Sequence, residues 1–229
     1  MAGIPIDRLR SELSGAVIGP DDEGYDASRR LFYGGIDPRP AAVVRVADDQ
    51  DVRRLVVMAR DAGADLSVRA GGHSIPGHSV VDGGVVLHLG DRRTLEIDPE
   101  GKTAWAEAGL TAAEYTQAAA KHGLATGFGD TGSVGIAGLT LGGGIGYLVR
   151  KHGMTIDDLL AADVVTADGD LLRVDAESNP DLYWAIRGGG GNFGVATRFR
   201  FRLHEVPQVV GGMLFLPATP EVLAGFMAL

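Results

Sequence analysis

Val68-Arg69-Ala70-Gly71-Gly72-His73-Ser74-Ile75-Pro76-Gly77-His78-Ser79 decides how the rest of the chain reads. Leu66-Ser67-Val68 is a β-favouring lead-in, and it runs into a turn that two adjacent glycines free of Cβ clashes. Glycine reaches φ > 0 without penalty, so successive backbone N–H groups can point into one concavity. Such a nest takes anionic oxygens, typically those of phosphate. His73 and Ser74 follow at once and set an imidazole and a hydroxyl beside the anion site. Taken alone, the stretch fits a tight surface loop with a solvated histidine equally well. The flanking chain separates the two readings.

Upstream, Asp48 to Ala62 reads as an amphipathic helix. Asp48 can cap it, Val52, Leu55, Val56 and Ala59 recur on one face, and Gly63 is the C-terminal stop. Ala41 to Val46 before it is a short apolar strand. Strand, helix and strand in about thirty residues form an α/β unit, with the glycine loop at the C-terminal end of a strand, where such folds bind ligands. The first 37 residues read as a leader with a short helix over Asp7 to Leu13, broken by Gly19-Pro20-Asp21.

Downstream, Val85 to Leu89, Thr94 to Ile97 and Thr103 to Ala108 read as strands, the last two joined by the turn Asp98-Pro99-Glu100-Gly101. Thr111-Ala112-Ala113-Glu114 is a capping box opening a helix that ends near Gly123. Ala162 to Thr166 and Leu171 to Val174 flank Asp168-Gly169, a hairpin signal. Asn179-Pro180-Asp181 starts a helix with proline at its first position, and Arg187 ends it before four glycines. Val195, Thr197, Phe199, Phe201 and Leu203 alternate with Arg198, Arg200 and Arg202, a strand with one buried face. Past Pro207 something new begins, with strand-like Met213 to Leu216 and a helix opening at Thr219-Pro220-Glu221.

Composition narrows the function. A formal charge of −9 argues against nucleic acid or an anionic membrane as the main partner, so an anionic ligand needs local donors such as a nest. With no cysteine, disulfides, thiolate catalysis and zinc-thiolate sites are excluded. No apolar run approaches the ~20 residues of a membrane span. Met1 to Asp7 has no basic, apolar leader pattern, so the expectation is a soluble cytoplasmic protein. The six histidines form no HExxH pair or carboxylate cluster, so no metal is expected; His88, His122, His152 and His204 read as surface or packing residues.

Two segments match GxGxxG, Gly127 to Gly132 and Gly189 to Gly194, but neither has the strand–loop–helix setting of a dinucleotide fingerprint. Gly101-Lys102-Thr103 recurs in P-loops, yet Glu96 stands where the first glycine must be. The three glycine-rich loops taken together carry more information, because three approaches of bare backbone suit a long ligand. A diphosphate with a flat ring system, such as FAD, fits.

In order and spacing, several motifs resemble FAD-linked oxidases of the berberine-bridge-enzyme-like family, in the vanillyl-alcohol oxidase superfamily. They are Gly19-Pro20-Asp21 with Tyr25, Arg39-Pro40-Ala41, Arg69-x-Gly71-Gly72-His73-Ser74, Gly142-Gly143-Gly144-Ile145-Gly146, Ala167-Asp168-Gly169, and Trp184 through Val195. The resemblance covers about residues 19–207. It implies an α+β fold, a PCMH-type FAD-binding domain over 38–207 made of two α/β subdomains (about 38–90 and 91–207). Residues 208–229 would then be the start of a truncated substrate domain.

The resemblance also implies roles. His73 would bond to the flavin 8α-methyl carbon, in keeping with a neutral imidazole nitrogen being a nucleophile near pH 7. Arg69, Ala70, Gly71, Gly72 and Ser74, with Gly77, His78 and Ser79, would hold the pyrophosphate side. Thr131, Gly132, Val134, Gly135, Gly138, Leu139, Gly142, Gly143 and Gly146 would line the ribityl and diphosphate. Gly194 and Val195 would approach the adenine side or its ribose. Some members add a second link from a cysteine near the position of Thr131; lacking cysteine, this chain is expected to use His73 alone or no covalent link. The intact enzyme would oxidise a small-molecule substrate by hydride transfer to flavin N5, with dioxygen as acceptor. In that family a following substrate domain supplies the catalytic base, so no catalytic residue is assigned here, and a second chain could supply the missing domain. The rival readings are an inactive flavin-binding fragment and a dehydrogenase that passes electrons to a partner.

Overall fold

A computed structural model describes residues 3–212 and 215–228 of the chain. In order the elements are α1 (Ile6–Glu12), β1 (Ala16–Ile18), α2 (Tyr25–Arg29), β2 (Ala42–Arg45), α3 (Asp49–Ala62), β3 (Leu66–Arg69) and β4 (Val85–His88). There follow β5 (Leu95–Asp98), β6 (Thr103–Glu107), α4 (Ala112–Ala120), β7 (Leu124–Ala125), α5 (Ile136–Leu141) and α6 (Val149–His152). The last are β8 (Leu159–Val165), β9 (Leu171–Asp175), α7 (Pro180–Gly189), β10 (Val195–Arg202), β11 (His204–Glu205) and α8 (Pro220–Met227).

The first layer is a four-stranded sheet in the order β1-β2-β4-β3. β2, β4 and β3 run parallel, with Val44 and Val68 both opposite Leu87. Because β3 and β4 are parallel neighbours, residues 70–84 must travel the sheet's length to join them. The opening glycine loop is the first part of that crossover. α3 forms as its sequence indicates: the Asp48 carboxylate accepts from Asp51 N–H, and Gly63 ends the helix in the left-handed region. Its apolar stripe, Val52, Leu55 and Ala59, is buried with Val44 and Leu87.

The stretch read as a leader is woven into this layer. Leu9 is fully buried, β1 pairs antiparallel with β2, and the buried Asp51 carboxylate accepts from the N–H groups of Ser14, Gly15 and Ala47 at 2.8–3.0 Å. A three-residue strand and a five-residue helix are too short to show a hydrophobic period, and long-range contacts create both.

The second layer is an antiparallel sheet, β5-β6-β10-β8-β9. β10 buries Val195, Thr197, Phe199 and Phe201 on one face, as its alternation indicates, with a register shift between Ala196 and Arg198. Thr111 and Glu114 make both capping-box bonds at the start of α4. The Asp168-Gly169 turn is a five-residue connection between Val165 and Leu171, longer than a tight hairpin. It docks on α3, where Arg53 Nε donates to the Gly169 carbonyl at 2.6 Å.

The layers share one core. Buried Arg92, 9% exposed, bonds Asp49 of α3 at 2.5 Å and Glu107 of β6 at 2.7 Å. Beyond Glu205, α8 forms behind its Thr219 cap but buries no residue. Of the strand expected over 213–216, Met213 and Leu214 lie outside the described residues, and Phe215 and Leu216 are not in a strand.

Candidate functional site

Arg69 ends β3 and its side chain folds back across the loop. Nη1 donates to the Ser28 carbonyl, and Nη2 to that of Arg30 at 2.7 Å. Gly72 takes φ +70°, and a Cβ there would stand 3.1 Å from the guanidinium, so both conformation and space call for glycine. Burial pulls the Arg69 pKa down, and its Nε is buried without a partner. Ser79 Oγ, later in the same crossover, is likewise buried and unpaired. Unsatisfied buried polar atoms are uncommon, and two in one loop call for an unseen partner. Neither a backbone carbonyl nor a side chain among the described residues accepts from the N–H groups of Gly71, Gly72, His73, Ser74 or Ile75. That run is the donor set of a nest.

The second glycine stretch meets the first backbone to backbone. A Cβ on Gly71 would lie 2.5 Å from Gly135 N, and one on Gly135 would lie 2.7 Å from Gly71 N. Gly135 opens α5, a helix the sequence did not reveal because Gly138 sits inside it and glycines flank it. A Cβ at Gly138 would meet nothing within 4 Å. The chain itself therefore does not require glycine there, whereas a ligand lying on α5 would. Thr131, Gly132 and Gly142 are exposed, Val134 and Leu139 are half-buried, and Gly143 is buried against Met154. Gly146 closes the stretch against the backbone of Gly129.

The third loop reaches the same helix. α7 leaves helical geometry at Arg187 and Gly188, and the turn Gly190–Phe193 packs with α7 against α5. Gly194 lies under the Val165 carbonyl, and Val195 is a core residue, so only the backbone of this pair can face a ligand. The three loops thus converge around α5 and the end of β3. Gly77 packs on Ile36, and His78 is exposed.

His73 is half-buried, and its ring stacks on Phe32 with centroids 4.1 Å apart and planes 22° apart. Sequence reasoning missed Phe32; the only hint was Leu31-Phe32-Tyr33, large apolar residues just ahead of two glycines. The other histidines sit elsewhere. Burial, then Arg69 and Arg45, push His88 down to about 4, so it is neutral. His152 and His204 stack at 3.9 Å, and His204 Nε2 lies 2.7 Å from the buried Asp158 carboxylate. Among the described residues no cluster could hold a metal, and no helix is long and apolar enough to cross a membrane. Two surface hollows of about 310 and 330 Å³ lie beside Arg53 and Asp168, and beside Arg10 and Asp22. Both are seams between packed elements and touch none of the three loops.

The fold and these loops gather bare backbone and unpaired donors in one place, and the donors of the Arg69–Ile75 turn and Ser79 are of the kind that fit a diphosphate. Residues 40–175 match the family model described as FAD binding domain. Over 217 residues, 94% of this chain and 47% of the relative, the sequence is 39% identical to (R)-6-hydroxynicotine oxidase of Paenarthrobacter nicotinovorans. The fold matches Physcomitrella patens BBE-like 1 with a TM-score of 0.84 at 30% identity, over 88% of this chain and 45% of that one. It matches the glucooligosaccharide oxidase of Acremonium strictum, described as carrying a 6-S-cysteinyl, 8α-N1-histidyl FAD, with a TM-score of 0.81 at 31% identity, over 86% of this chain and 42% of that one. The chain belongs to the FAD-binding-domain family of FAD-linked oxidases, of the berberine-bridge-enzyme-like, PCMH type. It spans less than half the length of these relatives.

Proposed function

We propose that this chain is the FAD-holding half of an FAD-linked oxidase, with the cofactor attached through His73. The observation that carries the reading is the backbone contact of Gly71 with Gly135, which sets the free N–H run of the first loop against the start of α5. Arg69, Gly71, Gly72, Ser74 and Ser79 hold the diphosphate. Gly135, Gly138 and Leu139 give the cofactor a bare helix face, and the backbone at Gly194 borders the adenosine end. Arg69 to Ser79 and α5 would hold FAD, which would supply two-electron redox chemistry between a small-molecule substrate and dioxygen. The protein's share is positioning and exclusion of water. Attachment would join a His73 ring nitrogen to the flavin 8α carbon, with loss of the imidazole N–H and one 8α C–H. The two protons and two electrons so released would reduce dioxygen to hydrogen peroxide. The chain has no cysteine for a second link of the kind named for the glucooligosaccharide oxidase. The named relatives oxidise a hydroxynicotine and an oligosaccharide, which differ too much to choose a substrate.

Acid precipitation after reconstitution with FAD tests the attachment. A yellow pellet is expected for the wild type and a colourless one for His73→Ala; colour in the variant pellet refutes the assignment. A second reading, a binding half that acts only with a complementary chain, is favoured by the exposed Val210, Phe215 and Met227 beyond the second sheet. Peroxide release on reoxidation separates oxidase from dehydrogenase chemistry.

A further inference from the structure

We propose that Phe32 is a positioning residue for His73, holding the imidazole by its face so that its nitrogens stay free to form the flavin bond. The proposal rests on the reading that His73 carries the cofactor. The lone pair of an imidazole nitrogen lies in the ring plane. A carboxylate or carbonyl partner would fix the ring by occupying a nitrogen, whereas an aromatic partner fixes it by the face. No hydrogen bond ties either His73 nitrogen to the described residues, and the Phe32 ring covers one face at 4.1 Å.

Phe32 is itself held in place by the loop it serves. Its N–H donates to the Gly72 carbonyl at 3.2 Å, and its ring meets Tyr33 edge-on at 5.2 Å. Just upstream, Arg69 clamps the carbonyls of Ser28 and Arg30. The residue that ends β3 thus anchors both the histidine loop and the segment bearing its stacking partner. Phe32 is 60% exposed, so burial does not account for a phenyl ring there. Holding the reacting ring in one orientation raises the rate of bond formation by sparing rotational freedom.

Two measurements test the proposal on the full chain. In the absence of flavin, the His73 ring protons should be shifted upfield by the Phe32 ring current in the wild type and in Phe32→Tyr. In Phe32→Leu and Phe32→Ala they should move to unstacked positions, with thermal midpoints within about 2 °C of the wild type because the ring is mostly exposed. With FAD and dioxygen added, acid-stable flavin should form at matching rates in the wild type and Phe32→Tyr, about tenfold more slowly in Phe32→Leu, and not at all in His73→Ala. A wild-type attachment rate in Phe32→Leu, or ring protons unmoved by that change, overturns the role of Phe32 alone. Failure of the wild type to form acid-stable flavin refutes the attachment itself, and the role of Phe32 with it.

Discussion

Gly71 and Gly135 touch through their backbones: a Cβ on Gly71 would stand 2.5 Å from the amide nitrogen of Gly135. Gly71 lies two residues past the end of β3 and Gly135 caps α5, so a single contact brings the first glycine loop to the bare helix.

Glycine is required at Gly71 by the protein and at Gly138 only by a ligand, and alanine at each separates the two demands. Gly71→Ala pushes backbone against backbone, which costs about 1–3 kcal/mol and lowers the thermal midpoint by about 5 °C. Gly138→Ala meets open space in a helix, so it should raise stability by about 0.5–1 kcal/mol while weakening FAD binding. Thermal unfolding together with flavin titration checks both. An alanine at 138 that binds FAD as tightly as wild type argues against a ligand lying on α5.

Arg92 joins the two layers through Asp49 and Glu107. Truncation leaves both carboxylates without their shared cation, so Arg92→Ala should cost about 3–5 kcal/mol in urea unfolding. Arg92→Lys should recover only part of that, because a single ammonium cannot reproduce the fork. A loss below about 1 kcal/mol would place the joint between the layers elsewhere.

His88 makes the fold acid-sensitive. Burial, with Arg69 and Arg45 nearby, pushes it down to about 4 in the folded protein, from about 6.5 for a free imidazole. Between those values the unfolded chain binds the extra proton, so stability rises with pH and is lost as pH falls through that window, by about 3 kcal/mol in all. His88→Asn, which keeps an acceptor for the Gly90 N–H, should flatten the slope of stability against pH between 6.5 and 4. An unchanged slope would show that another group sets it.

Deleting residues 208–229 should leave the thermal midpoint of the rest where it is. α8 buries none of its residues, and Gln208 to Gly212 are exposed. A marked fall would mean that this segment supports the sheets.

Much of the architecture was legible because local chemistry determines it. Asp48 and Gly63 bracket α3, Thr111 and Glu114 open α4, and the alternation along β10 names its buried face. In the site, the glycine loops and His73 could be read for the same reason. β1, α2 and α5 could not, since each is three to six residues long and is made by contacts far away in sequence. Phe32 was hidden too: it lies 41 residues before His73 and reaches it through Arg69, whose bonds to Ser28 and Arg30 leave no trace in sequence spacing.

The most direct measurement is peptide mapping by mass spectrometry of the denatured, FAD-reconstituted chain. The expected result is a single modified peptide, the one containing His73, heavier by one FAD less two hydrogens, with fragment ions placing the flavin on the imidazole. An unmodified His73 peptide beside flavin bound at any other residue would contradict it.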